Sequence, residues 1–492
     1  MKATTYISTR GHLEALLFSE AVVQGIAPDG GLYVPAALPE GVLEGLSGTQ
    51  SYAELASRVM GPFADFSPEV LDACTRGAYD TKFSSPAIAP LVTQGQVSFL
   101  ELYHGRTLAF KDMALSILPR FMTASAAKLN LQEEIVILTA TSGDTGKAAL
   151  EGFADVPGTR IVVFYPTDGV SDIQKHQMMT QTGDNVLVRG INGNFDDAQS
   201  GVKAIFTDEV LNRRLQEKGF VLSSANSINI GRLVPQIVYY VHAWLELKKQ
   251  GLGAEGFHAV VPTGNFGNIL AAWYAKVLGV PLRKLICASN SNNVLTDFLR
   301  TGRYDAKRPF HVTASPSMDI LISSNLERLL FEISGRSGER TKGLMEALRR
   351  EGTYQLDADM MGRLADFYGG YADDAQTLDA IGRVYAESGY VMDTHTAVGY
   401  KVLEDYRAAT GDTTHAVIAS TASPYKFTRS VVEGMGVASE GLDDFQLIDV
   451  LSQKAGLPVP EPIQGLKDRP VLHPGVCLKD ALAEEVLGFL GL

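Results

Sequence analysis

From about residue 97 onward, short apolar runs rich in β-branched residues alternate with longer stretches of helical period. The runs are VSFLEL (97–102), IVILTA (135–140), RIVVFY (160–165), NVLVRGI (185–191), FHAVVP (257–262), KLICAS (284–289) and HAVIAS (415–420). Each leads through a Gly, Asn, Asp or Ser turn into a helical pattern, the signature of βαβ units in an open, mainly parallel α/β sheet with helices on both faces. Residues 1–95 read differently: GIAPDGGLYVPAALPEG is rich in turn residues, and SYAELASRVMG and SPEVLDACTRGAY predict short helices. The pattern predicts a separate N-terminal unit over 1–95, a smaller α/β domain over 96–250 and a larger one over 251–492. A mostly helical insertion near 317–410, polar on one face, is expected outside the sheet.

Composition narrows the function classes. A chain of 492 residues exceeds one compact core, in keeping with about three units. With 45% hydrophobic and 20% charged residues the chain is an ordinary folded protein. Its formal charge of -13 argues against a nucleic-acid or anionic-membrane surface and for a small-molecule partner. Cys74, Cys287 and Cys477 show neither CxxC nor a disulfide framework, and no HExxH pair is present, so no metal is expected. Arg10 and Glu14 interrupt the N-terminal segment, and no run of 18 apolar residues occurs, which predicts a cytoplasmic protein.

Four stretches carry candidate chemistry. TATSGDTGKAAL (139–150) looks like a phosphate loop, but Thr141 stands where a Walker loop needs its first Gly, and Ala148 follows Lys147. What remains is a hydroxyl-rich turn from a strand into a helix, suited to an anion. TLAFKDMAL (107–115) places Lys111 beside Ala109, Phe110 and Met113; a lysine there is ordinarily solvated, but burial would make its amine a Schiff-base former. PTGNFGNIL (262–270) is a Gly-rich turn between strand and helix that fits a phosphate, or simply a βα turn. IASTASPYKF (418–427) puts Ser420 and Thr421 at a late strand end, where hydroxyls commonly cap turns.

In chain order, these four motifs resemble the pyridoxal-phosphate enzymes of fold type II, the tryptophan-synthase-β family. Further blocks narrow the resemblance to the threonine synthase family, in its longer class with an N-terminal domain. They are YISTRG (6–11), GIAPDGGLYVP (25–35), YPTDGVSDIQKHQM (165–178), ANSINIGRLVPQ (225–236) and DTHTAVG (393–399). The resemblance implies two α/β domains with pyridoxal 5'-phosphate between them. It implies Lys111 as Schiff-base partner and general base. Asp144 would lie at the cofactor's ring hydroxyl, with Thr141, Ser142 and Thr145 at the substrate carboxylate. Gly264, Asn265, Phe266, Gly267 and Asn268 would hold the cofactor phosphate, and Thr421 would meet the pyridine nitrogen. Asp144 stands where many relatives carry Asn, and a carboxylate there needs a proton or a partner.

The implied reaction turns O-phospho-L-homoserine and water into L-threonine and phosphate, so a second phosphoryl group must be held. Asn226, Ser227 and Arg232 fall to that role by resemblance, although Arg232 taken alone reads first as a surface ion pair. His395 reads as part of a capped helix entrance. A serine or threonine dehydratase of the same fold type, needing no second phosphate site, and a non-catalytic relative are the alternatives. The longer class is expected to be monomeric.

Overall fold

The computed structural model describes residues 4–141, 143–167 and 170–492. Its frame is two largely parallel sheets. The six-stranded sheet runs in the order Phe367–Tyr371, Leu282–Ser289, Phe257–Pro262, Ala416–Ser420, Val97–Glu101, Leu91–Gln94, and only the last pair is antiparallel. The five-stranded sheet, wholly parallel, runs Val476–Leu478, Val186–Asn192, Thr159–Pro166, Glu134–Ala140, Phe220–Ser223. Central strands such as Phe257–Pro262 and Ala416–Ser420 are buried at every position, because helices cover both faces.

All seven predicted strands are present, but the sheets do not follow the expected division of the chain. Val97–Glu101, assigned to the 96–250 domain, pairs instead with Ala416–Ser420, and Val476–Leu478 joins the sheet of the other domain. The crossing follows from the parallel pairing of Val97–Glu101, which needs a neighbour reached by a long connection and finds it late in the chain. The 317–410 stretch also corrects expectation, since Phe367–Tyr371 forms an edge strand of the larger sheet. Its sequence FYGGY reads poorly as a strand because of its glycines. They are needed: a Cβ at Gly370 would meet Val402 Cγ1 at 2.5 Å, and one at Gly369 would meet the Thr296 backbone at 3.0 Å.

The N-terminal segment folds as a short hairpin of Tyr6–Ser8 with Tyr33–Pro35 and helices that include Tyr52–Met60 and Pro68–Tyr79. It packs against the rest of the chain: Tyr6, Phe18, Val59 and Tyr79 join one apolar core with Phe121, Val238 and Leu270. Polar bonds reinforce the junction. Glu327 accepts from Thr9 Oγ1 at 2.6 Å and from Arg10 Nε and Nη2 at 2.9 and 2.7 Å. No helix among the described residues is long and apolar enough to cross a membrane.

Candidate active site

Segments that follow the carboxyl ends of strands from both sheets meet at Asp144, which contacts Lys111, Lys426 and Ser317, at the edges where open α/β sheets place their ligands. Beyond Val97–Glu101 the chain loops back to Lys111, which starts the short helix Asp112–Leu115. The loop is fixed from two sides. Phe110 N–H donates to the Thr421 carbonyl at 2.8 Å and Ser423 N–H to the Leu108 carbonyl at 2.9 Å. The Asp112 carboxylate accepts from Thr107 N–H and Oγ1 at 2.7 and 2.6 Å. The Lys111 side chain is 15% exposed and lies 3.9 Å from Asp144 Oδ2. Burial pushes its amine down to about 8; the cations Arg232 and Lys426 act the same way, and Asp144 opposes them.

Glu134–Ala140 delivers the TSGDTG turn and the helix Asp144–Phe153. Thr141 Oγ1 accepts from Gly143 N–H at 3.0 Å and Gly146 N–H at 2.8 Å, so this hydroxyl shapes the turn and retains only its proton to offer a ligand. Thr145 is half-buried in the first helical turn. Ser142 lies outside the described residues. Lys147 is engaged by Glu151 at 3.2 Å, with Gln181 as a further partner. The partner that Asp144 requires is Lys426, whose Nζ lies 2.7 Å from Oδ1 with both side chains almost fully buried. Gln174 Nε2 donates to Oδ1 at 2.7 Å and Ser317 Oγ to Oδ2 at 2.8 Å. Burial alone would raise the Asp144 carboxyl, but Lys426 and Lys111 outweigh it and hold the group well below the usual carboxylate range.

Phe257–Pro262 leads into the third loop and the helix Gly267–Val277. Phe266 precedes that helix with φ 63° and no side-chain cap, so the first amides are left for a ligand. A Cβ at Gly264 would meet the Ser317 carbonyl at 2.8 Å. Asn265 offers its carbonyl to Asn325 N–H at 3.1 Å. Asn268 Oδ1 accepts from Tyr240 Oη, while its buried Nδ2 meets no acceptor among the described residues. At the end of Ala416–Ser420, Ser420 and Thr421 are both buried.

The fourth loop precedes the helix Ile230–Lys249, capped by Asn229, whose Oδ1 accepts from Gly231 N–H at 2.9 Å. Arg232, in its first turn, is 3% exposed and is not a surface ion pair. Its Nη1 donates to the Ala225 carbonyl at 2.9 Å, and among the described residues its Nε meets no acceptor and no carboxylate pairs with it. Burial pushes its guanidinium down to about 10. Ser227 Oγ accepts from Asn325 Nδ2 at 3.4 Å, and the half-buried Asn226 is in the same loop.

Sequence reasoning missed several supports of this arrangement. Lys426 lies in IASTASPYKF, where nothing local marks a lysine as buried. Ser317 has no motif; it is held where its N–H donates to His395 Nε2 at 3.2 Å, while His395 Nδ1 meets Asp393 Oδ1 at 3.0 Å. The helix entrance expected at Asp393 is present and, in addition, fixes Ser317. Arg328, fully buried, donates to the Tyr33 carbonyl at 2.9 Å and contacts Asn325 and the Ile228 carbonyl. It thereby joins the N-terminal segment to both Gly- and Asn-rich loops.

A half-buried amine near neutrality, an uncapped helix start, an unpartnered Asn268 amide and a glycine without room for Cβ fit a phosphorylated aldehyde cofactor. The fold and these residues define a pyridoxal-phosphate-dependent enzyme of fold type II, and residues 81–423 match the family described as "Pyridoxal-phosphate dependent enzyme". Residues 5–79 match "Threonine synthase N terminus" and 396–471 match "Threonine synthase, C-terminal". The threonine synthase of Pseudomonas aeruginosa is 41% identical over 445 residues, 88% of this chain and 91% of that one. Human threonine synthase-like 1 is 40% identical over 88% of this chain, which spans 61% of that longer protein. The crystal structure of pyridoxal-phosphate-bound threonine synthase from Brucella melitensis superposes with a TM-score of 0.87 at 36% identity, covering 99% of both chains. The chain belongs to the threonine synthase family.

Proposed function

We infer that this chain is a threonine synthase that eliminates phosphate from the γ carbon of O-phospho-L-homoserine and adds water at the β carbon. Arg232 is the observation that favours this reading over a dehydratase. A cation buried without a carboxylate needs an anionic ligand, and a dehydratase has no second phosphate to supply.

Bound pyridoxal phosphate supplies a carbonyl to join the substrate amine and an electron sink for charge left at the α carbon. Gly264, Asn265, Phe266, Gly267 and Asn268 would receive its phosphate, Asp144 would face its ring hydroxyl, and Thr421 would face its ring nitrogen. Arg232, Asn226 and Ser227 hold the substrate phosphate. Thr141, Ser142 and Thr145, with the amides at the start of Asp144–Phe153, take the substrate carboxylate. Lys111 Nζ accepts the α proton, and an amine poised at about 8 is well matched to that task. The β proton leaves as phosphate departs from Cγ, and a proton then adds at Cγ to make the methyl group; water bonds to Cβ, giving up one proton, as another returns to Cα, with Lys111 the candidate carrier for these transfers. The reading extends to a cytoplasmic monomer acting on a small molecule, in keeping with a net charge of -13; a sizing column tests the monomer.

Incubation with O-phospho-L-homoserine should yield L-threonine and phosphate in equal amounts. Incubation with L-threonine should yield no keto acid. Keto acid and ammonia as the only products would overturn the assignment.

A further inference from the structure

Two lysines, not one, converge on Asp144. Lys426 occupies Oδ1 at 2.7 Å, whereas Lys111 stands 3.9 Å from Oδ2. Gln174 and Ser317 already donate to the two oxygens at 2.7 and 2.8 Å, so with Lys426 the carboxylate has three close partners without Lys111. Lys426 is itself pinned: its Nζ also donates to the Thr107 carbonyl at 3.1 Å, and Thr107 is held by Asp112. It is 2% exposed and reaches no solvent that could compete for its charge.

We propose that Lys426 is a positioning residue that takes up the charge of Asp144 and so leaves the Lys111 amine free to act as nucleophile and base. The proposal rests on Lys111 being the cofactor lysine. A carboxylate with no other cation would draw Lys111 into a close buried ion pair, and a protonated, ion-paired amine can neither attack a carbonyl nor accept a proton. With Lys426 in place, Asp144 stays ionised as an acceptor for neighbouring donors, and Lys111 feels a balanced field. The charged groups that face Lys111 are Asp144, Arg232 and Lys426. Asp112 and Lys147 lie further off on the Lys426 side. The same arrangement accounts for an aspartate at position 144, because the carboxylate arrives with its own buried counter-ion.

Lysine-selective nitrogen NMR of the cofactor-free chain reads the Lys111 titration directly, with Lys111→Met assigning the signal. In Lys426→Met the Lys111 midpoint should rise by about one to two pH units, the effect of an unshared carboxylate within ~4 Å. The acid limb of the holoenzyme's kcat profile should move with it. Lys426→Arg should restore the wild-type midpoint. Asp144→Asn should lower it, and Asp144→Asn with Lys426→Met should return it close to wild type, since that pair of changes removes both charges. Should Lys426→Met alone fail to fold, the Asp144→Asn and double variants decide the matter. A Lys111 midpoint unchanged or lowered in Lys426→Met, or unchanged in Asp144→Asn, overturns the proposal. Failure of the underlying reading looks different: Lys111→Met would still develop the visible absorption of a Schiff base with pyridoxal phosphate, whatever the titrations show.

Discussion

Replacing Arg232 by Met should separate substrate use from folding. Among the described residues of the cofactor-free chain the guanidinium makes one protein bond, to the Ala225 carbonyl at 2.9 Å, and leaves a buried Nε without an acceptor. Losing that bond costs about 0.5–1.5 kcal/mol. Removing an unpaired buried cation returns a comparable amount, because its desolvation is offset by no carboxylate. The urea unfolding free energy of the cofactor-free variant should therefore stay within about 1 kcal/mol of the parent. Substrate use should respond differently. A charge-assisted bond to phosphate is worth about 1.5–3 kcal/mol, which corresponds to a fall of roughly 10- to 150-fold in kcat/KM for O-phospho-L-homoserine. The assay is steady-state phosphate release over a range of substrate, alongside equilibrium dialysis of pyridoxal phosphate, whose affinity should be nearly unchanged. A kcat/KM within about 3-fold of the parent, the scale of a lost surface ion pair, would refute the reasoning; so would an equal loss of cofactor affinity.

Other consequences follow from the same geometry. Gly264→Ala places a Cβ 2.8 Å from the Ser317 carbonyl, a backbone clash expected to cost about 1–3 kcal/mol. Cofactor affinity measured by dialysis should fall roughly 5- to 150-fold, and an unchanged affinity would show that the loop yields freely. Glu327→Ala strands Arg10 and Thr9 at the junction with the N-terminal hairpin. It should cost about 2 kcal/mol in urea unfolding, reduced from a fully buried pair because Arg10 is 27% exposed; a cost below about 0.5 kcal/mol would contradict that. Lys111 also ties stability to pH. Its folded value of about 8 lies below 10.5, so between those values the unfolded chain holds a proton that the folded chain has released. The cofactor-free chain should thus gain stability relative to Lys111→Met as pH rises from about 8 to 10.5, with no further change below that window. A gap that is constant across the window would contradict it.

How much of this was legible beforehand depended on whether a feature is local. The strands at 135–140, 257–262 and 415–420 are sustained apolar runs, and their burial on both faces left an unmistakable mark. FYGGY was illegible as a strand because its glycines serve the approach of two helices, which no local pattern reveals. The domain boundary failed for a similar reason: Val97–Glu101 looks like the first strand of whatever follows it, and only tertiary pairing assigns it to Ala416–Ser420. Lys111 and the Gly264–Asn268 turn were readable as a lysine among apolar residues and as glycines between strand and helix. Lys426 was not, because a lysine's burial is decided by its partner, and that partner is Asp144, far earlier in the chain. The doubt over Asp144 itself was legible, since a carboxylate in an anion-binding turn demands a counter-charge. Where that charge came from was a property of the fold.

The reaction assignment is tested most directly by converting O-phospho-L-homoserine in water enriched in the heavy oxygen isotope. If phosphate is lost by cleavage at Cγ and water then adds at Cβ, the threonine hydroxyl carries the label and the released phosphate carries none. Labelled phosphate together with unlabelled homoserine would mean hydrolysis at phosphorus, and would contradict the account.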